Sequence, residues 1–101
     1  MVEKSLLRGV SDKEWYEKGR RLSRRGRHRK AIEALSLAIE KNPFYAEAYF
    51  VRGACQYALG NYRDAGDDLD AAAILGCRDA QFWSKHSIHS ATNDTDDGQE
   101  P

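Results

Sequence analysis

The densest cluster of ionisable groups in this chain is Arg20, Arg21, Arg24, Arg25, Arg27, His28, Arg29 and Lys30. A basic run of this kind can hold phosphates, so nucleic acid is the first chemistry it suggests. Asp64, Asp67, Asp68 and Asp70 form an acidic counterpart further along. Paired carboxylates carry out acid–base chemistry or bind Ca2+ when a water-excluding pocket or a glycine-centred loop accompanies them. His86 and His89 stand three residues apart, a spacing at which two imidazoles on a helix could share a metal, but no further ligand has a characteristic spacing nearby. Cys55 and Cys77 are 22 residues apart, without CxxC spacing. They read as two reduced thiols of a cytoplasmic protein. There is no glycine-rich phosphate loop, no G-x-S-x-G and no H-E-x-x-H. The expectation is a non-enzyme with no catalytic residue, no metal site and no cofactor.

What these groups can do depends on the elements that carry them. The basic run crosses a helix end and a turn, so its charges fan out in several directions instead of following a phosphate track. Those nearest the end of the first helix complement its dipole. The four aspartates read as the solvated face of one helix, without a loop or a pocket to turn them into chemistry. The two histidines fall among Ser84, Lys85 and Ser87 and read as exposed polar residues.

Charge is unevenly placed. Residues 1–41 carry 12 Lys+Arg against 6 Asp+Glu, while residues 42–101 carry 4 against 10, and the formal net charge is zero. Such a dipolar chain can steer a charged partner to one end or attract the opposite end of a second copy. With 101 residues, the chain suits one small domain of modest core. Three Val, two Thr and two Pro leave helix as the favoured secondary structure. No apolar run approaches the roughly 20 residues of a membrane span, and residues 1–10 show no secretory pattern.

Sliding the chain along itself locates the organising feature. An offset of 34 residues aligns Trp15 with Tyr49 and Trp83, Gly19 with Gly53, Gly26 with Gly60, Ala31 with Ala65, Leu35 with Leu69, and Ala38 with Ala72. His28 meets Tyr62; Pro43 meets Cys77, where the correspondence breaks. A fixed period in this range indicates stacked supersecondary units. Trp15, Gly19 and Leu22 share one helix face, and Ile32, Leu35, Ala38 and Ile39 share another. Gly26 and Gly60 suit the left-handed residue that closes a helix. Gly19 and Gly53 remove side-chain bulk inside a helix, at a cost of roughly 1 kcal/mol against alanine. Close approach of a neighbouring helix compensates. Ser11-Asp12-Lys13-Glu14 has the form of a capping box, with Val10 and Trp15 placed for a hydrophobic staple.

These residues resemble the tetratricopeptide repeat, whose pattern is W-x2-L-G-x2-Y followed by A-x3-F, A and P. The first unit supplies Trp15, Lys18, Gly19, Leu22, Gly26, His28, Ala31, Leu35, Ala38 and Pro43. The second supplies Tyr49, Arg52, Gly53, Gln56, Gly60, Tyr62, Ala65, Leu69, Ala72 and Cys77. Lys18 and Arg52 depart from the first Leu of the pattern, Gln56 from the aromatic and Cys77 from the proline, which weakens individual helix contacts. The resemblance implies an all-α superhelix, a right-handed solenoid of antiparallel hairpins with about five helices. The expected division is a leader over 1–10 and a domain over 11–91. That domain comprises repeat one (12–45), repeat two (46–79) and a capping helix (80–91) that buries Phe82 and Trp83. An acidic tail without apolar residues, 92–101, is expected to be disordered.

The resemblance further implies a concave groove lined by the first helix of each repeat. Its positions fall on Lys13, Tyr16, Arg20, Ser23 and Arg24, then on Glu47, Phe50, Ala54, Tyr57 and Ala58. The implied function is a protein-interaction scaffold that holds a peptide or protein of acidic and apolar character, with no membrane role. Some relatives grip acidic chaperone tails with asparagines at two set positions. Arg20 and Val51 stand there in this chain, which argues against that specialisation. The competing readings are a self-associating structural module, with weak homo-oligomers, and nucleic-acid binding through residues 20–30.

Overall fold

A computed structural model describes residues 9–83. It begins with the local chemistry expected at Ser11. The Glu14 backbone N–H donates to Ser11 Oγ at 3.1 Å, and the Ser11 N–H donates to Glu14 Oε1 at 2.9 Å. This reciprocal pair starts helix α1, Asp12–Arg24. The remaining helices are α2 (His28–Lys41), α3 (Ala46–Ala58), α4 (Tyr62–Ile74) and α5 (Arg78–Trp83). Among the described residues all regular structure is helical.

Glycines end the first helix of each pair. Gly26 and Gly60 take φ of +80° and +86°, the left-handed region that a side chain disfavours. Each is wrapped by the same hydrogen bonds, Arg27 N–H to Leu22 O at 2.9 Å and Asn61 N–H to Gln56 O at 2.8 Å. A third glycine, Gly76 at φ +100°, turns the chain from α4 into α5. Asn42-Pro43 performs the corresponding turn between α2 and α3. There Asn42 Oδ1 accepts from the Phe44 N–H at 3.1 Å and its amide donates to Asp12 Oδ2 at 3.0 Å.

Helix α1 packs on α2 and α3 on α4; α2 meets α3 across the repeat boundary, α4 meets α5, and α1 also touches α3. The core is built from small side chains. Ala31, Leu35, Ala38, Ala48 and Cys55 form one buried cluster, and Ala46, Ala72, Cys77 and Ala80 form a second around α5. A Cβ on Gly19 would stand 2.5 Å from Leu35 Cγ, and one on Gly53 would stand 3.0 Å from Leu69 Cγ. The two glycines therefore sit at the same close crossing in the two units, as their sequence positions require.

Three details differ from the sequence reading. Helix α5 opens at Arg78, with Ala80 inside it and Cys77 just before it both buried. Phe82 is consequently 62% exposed and is no buried contact of the closing helix. Asp68 is 7% exposed and turns into the helix pair instead of joining its neighbours on a solvated face. The reason lies in Arg52, whose Nε and Nη2 donate to the two Asp68 oxygens at 2.8 Å each, while Nη1 donates to Ser36 Oγ at 3.0 Å. Arg52 thus adds a three-helix polar tie in place of the contact that its departure from the leucine pattern removes. Most of the expected leader, the expected helix beyond residue 83, His86, His89 and the tail 92–101 lie outside the described residues.

Candidate functional site

The contact between α1 and α3 brings two sets of side chains, 34 positions apart, onto neighbouring helices. Lys13, Arg24, Glu47, Ala54 and Tyr57 are exposed, as is Ala58; Tyr16, Arg20, Ser23 and Phe50 are half-buried. The set divides by environment. Tyr16 is stacked at a tilt against Tyr45 with ring centroids 5.0 Å apart. Arg20 makes a loose ion pair with Glu17 at 3.8 Å. Ser23 hydrogen-bonds with the Cys55 thiol, so it faces inward as well as outward. Phe50 packs against the cluster of Ala46, Ala72, Cys77 and Ala80, which makes it in part a core residue. Tyr57 meets the edge of the Tyr62 ring, with centroids again 5.0 Å apart.

Electrostatically this face is mixed. Burial pushes the Tyr16 hydroxyl above its ordinary range; Arg20 opposes that shift, and Glu47 and Glu17 add to it. Tyr45 is pushed up to about 12, chiefly by burial and then by Tyr16, Asp12, Glu47 and Glu17. Both hydroxyls therefore keep their protons at neutral pH and remain hydrogen-bond donors as well as acceptors. Burial also pushes the Cys55 thiol up, with the Ser23 hydrogen bond acting against it, so the thiolate needed for nucleophilic chemistry is disfavoured. Together Lys13, Arg20 and Arg24 can pair with carboxylates, while Tyr16, Phe50 and Tyr57 supply rigid apolar area.

Tyr45 escaped the sequence reading because it does not repeat: the residue 34 positions on is Asp79. The only local sign was an aromatic residue two places after Pro43, where a chain entering a helix often packs. Arg52 with Asp68 escaped for a related reason. Repeat one holds Lys18 and Ala34 at the matching places; Lys18 lies over the Trp15 ring, 5.5 Å from its centre, as Arg52 lies over Tyr49 at 5.7 Å, but no carboxylate stands at position 34 to pair with it. Among the described residues no group of three His, Cys, Asp or Glu could hold a metal ion, and no helix is long and apolar enough to cross a membrane.

Paired antiparallel helices, glycine-closed turns and small residues at each crossing define a helical-hairpin repeat scaffold. A family model described as tetratricopeptide repeat matches residues 16–82, and the chain belongs to that family. An uncharacterised protein of Methanocaldococcus jannaschii is 30% identical over 83 residues, covering 82% of this chain and 87% of the relative. No solved structure matches the chain. Tetratricopeptide repeats generally mediate protein–protein interaction and form a non-enzymatic repeat scaffold.

Proposed function

We propose that this chain is a protein-binding module that holds a partner segment along α1 and α3. The contact set is Lys13, Tyr16, Arg20, Ser23, Arg24, Glu47, Phe50, Ala54 and Tyr57. What supports the reading is the contact between α1 and α3, two helices of which the first carries exposed Lys13 and Arg24 and the second exposed Ala54 and Tyr57. Ala54 stands where Arg20 stands one repeat earlier, and Glu47 and Ala58 stand for Lys13 and Arg24, so the positive charge of the face falls from α1 to α3. An extended or helical segment with an acidic group near α1 and an apolar side chain near Phe50 and Tyr57 fits that gradient. Arg20 and Arg24 hold its carboxylate, and the Tyr16 hydroxyl, kept protonated, donates a further hydrogen bond.

A photo-crosslinking residue at Ala54 tests this in an extract of the native host. A partner should be captured there and not from the same group placed at Glu33, which is exposed on α2. The Arg20→Glu, Arg24→Glu double change should abolish that capture while circular dichroism stays unaltered. Undiminished capture by the double variant would remove the site from this face.

A further inference from the structure

The corner between α1 and α2 carries a charge pattern that its backbone does not require. The same corner is built again between α3 and α4, and the two can be compared atom for atom. Gly26 and Gly60 have matching left-handed φ. The Gly26 N–H bonds to Ser23 O and the Gly60 N–H to Tyr57 O, each at 3.0 Å. Ala31 N–H to Arg27 O and Ala65 N–H to Asn61 O are each 2.9 Å. On this common frame the first corner places Arg25, Arg27, His28, Arg29 and Lys30, and the second Leu59, Asn61, Tyr62, Arg63 and Asp64. The turn is made equally well with four cations or with one cation and one carboxylate.

The first corner is also electrostatically adverse to its own helix. Neither α2 nor α4 has a side-chain cap, but α2 has no acidic residue in its first turn, whereas α4 has Asp64 there. Lys30 occupies the place that Asp64 fills in repeat two. Cations at a helix N-terminus oppose the macrodipole, so Arg27, Arg29 and Lys30 lie on the unfavourable side of the turn. The match to the dipole of α1 holds for Arg21 and Arg24 in its last turn and is reversed past Gly26. Among the described residues the ion pairs are Arg20–Glu17 and Arg52–Asp68, so no cation of this corner has a carboxylate partner.

The matching charge lies on the outside of α4. Asp64, Asp67 and Asp70 are exposed and run along one edge of the helix at intervals of three, while Asp68 is turned inward to Arg52. The chain as a whole is neutral, so two copies approach without net repulsion. We propose that the Arg25–Lys30 corner of one copy docks on the Asp64–Asp67–Asp70 edge of a second copy. None of the residues of this contact belongs to the set assigned to the α1–α3 face. A carboxylate entering the corner meets the guanidinium and ammonium groups, together with the N–H groups of His28, Arg29 and Lys30, which have no acceptor within the helix.

Sedimentation velocity on the full chain tests the contact. At low salt the average mass should rise with concentration and return to monomer at roughly 0.5 M salt, where the screening length is only a few ångströms. Arg27→Glu with Lys30→Glu should weaken association on the order of tenfold or more, as should Asp67→Lys with Asp70→Lys. An equimolar mixture of the two variants presents complementary surfaces again and should associate. Circular dichroism confirms that both fold. A parent that stays monomeric at low salt, or a mixture that fails to associate, overturns the proposal. So does a labelled single-stranded oligonucleotide that binds the monomeric parent and is lost by the Arg27, Lys30 variant, since that assigns the corner to nucleic acid.

Discussion

At the residue scale, the two helix-interior glycines and a third glycine nearby behave as opposites. Gly19 faces the fully buried Leu35, with an added Cβ 2.5 Å and 2.8 Å from two of its carbons and 3.3 Å from Ala31 O. Leu35 cannot swing aside, since it is 0% exposed. Gly66, by contrast, has nothing within 4 Å of an added Cβ and does not take a left-handed φ. Gly19→Ala should therefore cost about 1–3 kcal/mol through overpacking, despite the gain in helix propensity. Gly66→Ala should gain about 0.5–1 kcal/mol, because only the propensity and chain-entropy terms act. Gly53→Leu, against Leu69 and Ala65, should cost at least as much as Gly19→Ala. Urea unfolding of the variants measures all three, and equal effects at Gly19 and Gly66 would contradict the crossing described.

At the element scale, Arg52 couples three helices. It lies on α3, pairs with Asp68 on α4 and reaches Ser36 on α2. The pair is only partly reached by solvent, with side chains 22% and 10% exposed. Removing one partner leaves the other desolvated without compensation, and Asp68→Ala should cost about 2–4 kcal/mol. Replacing both by leucine, the residue the family pattern places at position 52, removes the burden together with the bond. The Arg52→Leu, Asp68→Leu variant should recover more than half of that loss. A double-mutant cycle should then show coupling of at least about 1 kcal/mol. Additive effects would mean that the pair does not tie the helices.

At the scale of the whole molecule, each unit touches only its neighbours. Cys55 belongs to the cluster shared by α1, α2 and α3, and Cys77 to the one closed by α5. Both thiols are free and buried. In a stack held by nearest-neighbour interfaces, the end unit opens before the interior. Cys77 should therefore become reactive to a thiol reagent at lower urea than Cys55, whose release should coincide with loss of helical signal. Simultaneous release of both would show that the stack unfolds as one unit.

The helices, their turns and their closest crossings could be read from the chain because they rest on short-range or periodic features. A capping box needs four consecutive residues, a left-handed turn needs its glycine, and a 34-residue period exposes every position that both units share. Only the tertiary structure decided what does not repeat. Tyr45 against Tyr16, Arg52 with Asp68 and the exposure of Phe82 each depend on which residue of one helix stands opposite which residue of another. Pairings of that kind are set by helix rotation and by the neutralisation of buried charge. Both are properties of the packed whole, and neither leaves a period or a local pattern in the order of the amino acids.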